Sequence, residues 1–122
     1  MIPGQYQLTP LEDGGYRQRT RRNVQDSDGT LVVNLGELDG GSLATHAFAV
    51  RSGKPCLLIA VDGGVTADQA ACVLTWLREH DIQVLNVAGP RESKRPGIHA
   101  RTLALLEAVE ALSLELSATP QR

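Results

Sequence analysis

The sequence predicts an α/β, Rossmann-like three-layer fold, with helices on both faces of a short parallel sheet. Three apolar segments, residues 30–35, 56–61 and 82–87, read as strands, and each is followed by a glycine-containing turn and a helical pattern. Strands that alternate with helices form right-handed βαβ units, so the three turns are expected at one edge of the sheet. Ligands of open parallel sheets bind at that edge, outside the carboxyl ends of the strands.

The remaining elements follow from periodicity and from the residues that begin and end helices. Thr66 and Gln69 form a predicted capping box, and Gly53 is expected at the C′ position after the preceding helix. The strand at 56–61 is apolar throughout, which predicts burial on both faces. The predicted helices cover residues 15–25, 42–52, 66–80 and 98–116. Residues 1–14, with Pro3 and Pro10, are predicted to be irregular, and residues 117–122 to be a frayed tail.

Length and composition predict one domain over residues 1–122 and narrow the function classes. A net charge of -2 argues against a general nucleic-acid binder. No run of about 18 apolar residues suggests a membrane span, and the start lacks the layout of a signal peptide. We therefore expect a cytoplasmic location, with neither membrane nor nucleic acid as partner. Neither Cys56 nor Cys72 has a nearby Cys or His at the spacing of metal ligands, so both are predicted to be buried thiols.

A glycine-rich turn after the first predicted strand is a candidate anion site. Gly40 and Gly41 would let a ligand approach the backbone, and Ser42 and Thr45 could add hydroxyl donors at a helix N-terminus. An ordinary tight turn with Ser42 as a plain N-cap explains the same residues equally well. The acidic residues Glu37 and Asp39 of this turn count against a highly charged polyphosphate ligand, unless their side chains point away or hold a metal.

The loop over residues 86–97 is long and polar for a strand-to-helix connection. It contains Arg91, Lys94 and Arg95, and an arginine can bind a phosphate through two parallel hydrogen bonds. A solvated surface loop is the alternative. A second basic patch precedes the first strand, with the same two interpretations open; it comprises Arg17, Arg19, Arg21 and Arg22. The three histidines, His46, His80 and His99, are scattered, so neither a metal site nor a nucleophilic catalytic group is predicted.

Two long motifs carry a family resemblance. They are Tyr16-Arg17-Gln18-Arg19-Thr20, followed by Asn23-Val24 and Asp26-Ser27-Asp28, and Leu85-Asn86-Val87-Ala88-Gly89-Pro90-Arg91-Glu92-Ser93, followed by Pro96-Gly97-Ile98. In this order they resemble the putative molybdenum carrier family over residues 2–112. The resemblance implies a Rossmann-like fold related to molybdenum cofactor carriers and to the lysine-decarboxylase-like nucleotide-binding group.

The resemblance also implies a set of motif residues and one difference from the family. Together with the glycine turn, it gives the candidate ligand-binding residues Arg19, Asn23, Gly36, Gly40, Gly41, Ser42, Thr45, Gly89, Arg91, Glu92 and Ser93, with Asp28 as a further motif position. Relatives begin with an additional strand and helix carrying a Gly-Gly-x-Thr-Gly-Val-Asp segment, so the N-terminal βα unit is expected to be missing. A three-stranded sheet would expose its edges, so we expect either pairing with another chain, as in a homo-oligomer, or a missing piece of the sheet.

Three hypotheses on function follow. The first is a non-catalytic carrier of molybdenum cofactor or molybdate, in which Ser42, Thr45 and the amides of Gly40 and Gly41 hold oxygens while Arg19 and Arg91 neutralise charge. The second is a nucleotide-binding or nucleotide-processing hydrolase; its acid/base group would be Glu37, Asp39 or Glu92, with a raised pKa. The third is an assembly subunit that binds no ligand.

Overall fold

The backbone is described for residues 5–11, 16–37 and 40–118 of a computed structural model, and the side chains for residues 20–37 and 40–116. Four strands alternate with four helices along this part of the chain. In order they are β1 (Gln5–Leu11), α1 (Tyr16–Asp26), β2 (Gly29–Asn34), α2 (Gly40–Arg51), β3 (Cys56–Ala60), α3 (Ala67–Glu79), β4 (Val84–Pro90) and α4 (Ile98–Ala118).

The strands form one parallel sheet in the order β1-β4-β2-β3. Strands β2 and β4 are central, with Leu31 beside Val87, while β1 and β3 lie at the two edges. Because every pair is parallel, all four carboxyl ends lie along one edge, called the carboxyl edge below. The predicted α/β Rossmann-like fold is confirmed.

The prediction of an irregular N-terminal segment is wrong for residues 5–11, which form β1 and pair with the whole of β4. Pro10, which lies opposite Gly89, favours irregular structure in the sequence, because proline has no N–H group to donate to a neighbouring strand. An edge strand tolerates proline, since one of its sides has no neighbour to receive N–H groups. The sheet therefore has four strands where the sequence predicted three.

Strand β3 is less buried than its apolar sequence predicts. Within Cys56–Ala60 only Ile59 is buried, because β3 is an edge strand with β2 as its neighbour. Cys56 is half-buried, and this burial raises the pKa of its thiol to about 11. Cys72 is exposed on α3, so the prediction of two buried thiols is wrong for Cys72.

The helix ends agree closely with those predicted from the sequence. The Thr66 hydroxyl accepts from the amide of Gln69 at 3.1 Å, and the Gln69 side chain accepts from the amide of Thr66 at 3.2 Å, which confirms the capping box. After α2, Gly53 has φ +71 and the Lys54 amide donates to the Ala49 carbonyl at 3.0 Å, as a Schellman motif requires. Helix α2 begins two residues earlier than predicted, α4 continues to Ala118, and residues 119–122 lie outside the described part.

The main core lies between one face of the sheet and helices α3 and α4. Alternate strand residues such as Leu31, Val33 and Val87 pack there against α3 and α4 residues such as Val73 and Leu105. On the other face Val32 and Ala88 form a smaller cluster, and α1 and α2 pack against each other and the sheet. Among the described helices, none has the length and hydropathy of a membrane span.

Asp28 joins the first residues of the two central strands at the edge opposite the carboxyl edge. Its Oδ2 accepts from the amides of Gln83 at 2.9 Å and Val84 at 2.8 Å, and its own amide donates to the Val84 carbonyl at 2.8 Å. The two hydrogen bonds from backbone amides lower the pKa of the Asp28 carboxyl below 3.8, and the charge of Lys54 adds to this effect. This motif residue therefore holds the sheet together far from the expected ligand edge.

We expect Asp28→Asn to lower the free energy of unfolding by about 1 kcal/mol at pH 7, a figure reduced because the carboxylate is exposed. A lowered folded pKa contributes stability above the unfolded value near 3.8, and this contribution disappears as the pH falls through the folded pKa. Urea unfolding at pH 7 and below pH 3.8 should show the variant and the wild type converging in acid. Glu79→Gln, at an exposed helix position, is the control, and an equal loss in both variants would contradict the assignment.

Candidate functional site

The carboxyl edge brings together the two segments that the sequence singled out. The turn after β2 (described over residues 35–37) and the loop after β4 (residues 91–97) follow neighbouring strands, so they lie side by side. The turn after β3 (residues 61–66) flanks them on the β3 side. The predicted meeting of three strand-to-helix turns at one edge is therefore confirmed.

The turn after β2 is held by hydrogen bonds on both sides of Gly36. The buried side chain of Asn34 donates from Nδ2 to the Gly36 carbonyl at 2.8 Å, and the Gly36 amide donates to the Asp62 carboxylate. Gly36 has φ +80, a conformation that L side chains rarely adopt. The glycine at this position thus has a structural reason besides any approach of a ligand.

Helix α2 begins at this turn. Gly40 and Gly41 are exposed at its start, where the first backbone N–H groups have no partner within a helix. Ser42 and Thr45 are buried on its inner face, and the Thr45 hydroxyl donates to the Gly41 carbonyl at 3.0 Å. Of the predicted ligand donors in this helix, the two glycine amides are therefore the most accessible.

Three arginines following β4, named here the edge arginines, are Arg91, Arg95 and Arg101. Arg95 donates from Nε to the Leu35 carbonyl at 2.8 Å and from Nη2 to the Glu37 carbonyl at 3.2 Å. Arg101 donates from Nη1 to the carbonyls of Val61 at 2.6 Å and Asp62 at 2.8 Å.

The charge of the edge arginines is not compensated within the described part of the chain. Both Arg95 and Arg101 bind neutral carbonyls, and the buried Nε of Arg91 has no hydrogen-bond partner there. His99 Nδ1 lies 4.0 Å from Glu92 Oε1, and no carboxylate of the described residues lies this close to an edge arginine. At the carboxyl edge, therefore, the guanidinium groups face no carboxylate of the described residues at ion-pair distance.

Glu92 holds the start of α4. Its two carboxylate oxygens accept from the amides of Gly97 at 2.7 Å and His99 at 3.0 Å, and these bonds lower the pKa of the carboxyl. Both oxygens are thus engaged in holding this helix end, and the raised pKa that the hydrolase hypothesis expects of its acid/base group is not found at Glu92. Ser93, the next residue, is exposed in the loop.

Gly89 is explained by the packing of the two central strands. A Cβ at this position would lie 2.5 Å from the Val33 carbonyl oxygen, closer than side-chain carbons are found. The predicted approach of a ligand to Gly89 is not needed to account for the residue.

Other sequence candidates lie elsewhere or outside the description. Asn23 lies in the half of α1 that leads to the amino end of β2 and is engaged in an interaction there. The side chain of Arg19 and all of Asp39 lie outside the described residues. Among described residues, no group of three or more His, Cys, Asp or Glu side chains could hold a metal ion.

Sequence reasoning missed Asn34, Asp62 and Arg101. Asn34 is a buried polar residue at the end of an apolar strand, a signal that was available. Asp62 and Arg101 contact residues 26 or more positions away, so local patterns could not reveal their roles.

Known proteins with similar sequence or structure support the family resemblance. A crystal structure of a putative molybdenum carrier protein from Syntrophus aciditrophicus SB is 45% identical, with a TM-score of 0.74, over 88% of this chain and 68% of that chain. The crystal structure of Tk-PTP in the active form is similar in fold alone, with 18% identity and a TM-score of 0.52 over 90% of this chain and 78% of that chain. No curated protein matches the sequence. The model of the circularly permutated YpsA SLOG family matches residues 1–110, and the chain therefore belongs to that family.

Proposed function

We propose that this protein is a non-catalytic carrier that binds an anionic or phosphate-bearing small molecule at the carboxyl edge of its sheet. The observation that carries the proposal is the set of edge arginines, whose charges meet no described carboxylate at ion-pair distance. Buried or half-buried charge without a counter-charge is costly, and a bound anion would remove that cost. The 45% identical relative is named for carrying molybdenum, which supports molybdenum cofactor or molybdate as the cargo.

Different residues of the proposed site would supply positive charge and directed hydrogen bonds. Arg91 directly follows β4 and would donate from its unpartnered Nε to an anionic oxygen. Gly40 and Gly41 would supply backbone amides at the positive end of the α2 dipole. Arg95 holds the turn after β2 against the loop after β4 and adds positive charge without leaving its carbonyl partners. A nucleotide would present the same phosphate chemistry to these groups.

The proposal includes a homo-oligomer in the cytoplasm that uses neither membrane nor nucleic acid as a partner. Strand β3 supports the assembly, because an apolar edge strand without proline or charge is a ready template for pairing. Native mass spectrometry of gently purified protein tests both parts at once. A dimer with extra mass matching a pterin, nucleotide or molybdate supports the carrier, and a bare monomer counts against it.

Replacing Arg91 with alanine should weaken the binding of inorganic phosphate and of molybdate about tenfold, which corresponds to the loss of one charge-assisted hydrogen bond. Isothermal titration calorimetry at low ionic strength gives the affinities. Arg78→Ala is the matched control, since Arg78 is exposed in the last turn of α3, away from the carboxyl edge. Equal affinities for the wild type and Arg91→Ala would remove this residue from the site.

A further inference from the structure

Asn34 has a feature that anion binding alone does not explain. Its side chain is 3% exposed at the last position of β2, and its Oδ1 has no hydrogen-bond partner in the described part of the chain. A buried carbonyl oxygen without a partner costs free energy, so such atoms are rare in folded proteins. The position of Asn34 at the carboxyl edge connects this atom with the proposed ligand site.

The orientation of the Asn34 amide is fixed by its other atom. Nδ2 donates to the Gly36 carbonyl at 2.8 Å, and a flipped amide would place two oxygen atoms against each other. The unpartnered atom is therefore an acceptor, and it requires a donor.

The strand beside β2 is followed directly by a residue with an unpartnered hydrogen-bond donor. Strand β4 runs beside β2, and Arg91 directly follows it with an unpartnered Nε donor. A site for a bare oxyanion needs donors only, because every oxygen of molybdate or sulfate accepts hydrogen bonds. A carboxyl edge that carries an unpartnered acceptor on Asn34 as well as an unpartnered donor on Arg91 instead matches a ligand that both accepts and donates.

Resting on the proposed function, we propose that Asn34 is a specificity-determining residue whose Oδ1 accepts a hydrogen bond from the ligand. The site would then take ligands with a hydroxyl or amine at or beside the anionic group, such as protonated phosphate or an organic phosphate. This narrows the proposed cargo to a phosphate-bearing molecule, because Oδ1 would repel the oxygens of molybdate and of other fully deprotonated oxyanions.

Four probes of known protonation test this proposal by calorimetry on the full chain at pH 7. Inorganic phosphate and adenosine monophosphate carry hydrogen-bond donors, whereas molybdate and sulfate carry none. The tighter of the first two should bind at least about tenfold better than either bare oxyanion, since a site that loses one buried hydrogen bond loses about this factor. Asn34→Leu should abolish the preference, so that the ratio of the tighter donor-bearing probe's affinity to that of molybdate falls to about one.

Asn86→Leu is the matched control, because Asn86 is also a fully buried asparagine but lies within β4, beside Thr30. The preference for donor-bearing probes should survive in this variant. Molybdate binding as tight as phosphate and adenosine monophosphate in the wild type would overturn the proposal and leave anion binding intact. Absence of binding by all four probes would overturn the proposed function itself. The wild-type comparison decides even where Asn34→Leu fails to fold.

Discussion

Replacing Gly89 with alanine is expected to destabilise the protein by about 3 kcal/mol, the upper end of the usual cost of overpacking. The new Cβ would lie 2.5 Å from the Val33 carbonyl oxygen, and this oxygen belongs to the backbone of the neighbouring central strand. A clashing side-chain atom could rotate away, but the backbone of a paired strand cannot move without weakening its hydrogen bonds to the neighbouring strands. Thermal or urea unfolding of the variant measures the effect.

Gly63→Ala provides the control for Gly89→Ala. An added Cβ at Gly63 would meet no atom within 4 Å, and the residue lies in the turn after β3, on the same edge of the sheet. We expect this change to alter stability by no more than about 0.5 kcal/mol. Similar losses in both variants would show that glycine flexibility, and not the contact with Val33, determines the cost.

The second large effect is expected from Arg101→Leu, which should lower the free energy of unfolding by about 2 kcal/mol. Arg101 is half-buried on α4, and its Nη1 donates to the carbonyls of Val61 and Asp62 just beyond β3. Leucine keeps much of the stem packing, but it leaves both carbonyls without their charged donor. The end of edge strand β3 would then be released from α4.

Urea unfolding should show a lower midpoint for Arg101→Leu with an unchanged slope. Arg78→Leu removes an exposed arginine from α3 and should cost less than about 0.5 kcal/mol. Arg101→Lys keeps the charge and one donor group, so it should recover part of the loss. A midpoint for Arg101→Leu equal to that of the wild type would show that the two carbonyl bonds contribute nothing to stability.

The sequence predicted those elements whose signals are local. Strands β2, β3 and β4 follow from apolar runs, and Thr66 with Gln69 defined the start of α3. Strand β1 was missed because Pro10 suggests irregular structure unless the position at a sheet edge is known. The same lack of topological information made β3 seem buried on both faces.

The sequence predicted where the candidate site lies better than it predicted what each side chain does there. The turn after β2 and the loop after β4 do meet at one edge, as parallel strands require. The uses of individual side chains depend on contacts between distant residues, such as Arg95 with Leu35 or Asp62 with Gly36. No spacing in the sequence distinguishes an arginine that binds phosphate from one that binds a carbonyl. The orphaned acceptor of Asn34 likewise becomes visible only when its surroundings are known.

The pairing of β1 with β4 has a consequence for the order of folding. Strand β1 is aligned by β4, with Gln5 beside Val84, so a ribosome must synthesise β2, β3 and β4 before β1 has its partner in the sheet. Closing so large a loop costs entropy that β1 recovers only after β4 has joined β2. The βαβ unit of β2, α2 and β3 can assemble first from neighbouring segments. Nascent chains therefore pass through a stage in which the β1 backbone is synthesised but unpaired, when chaperones or other strands can reach it.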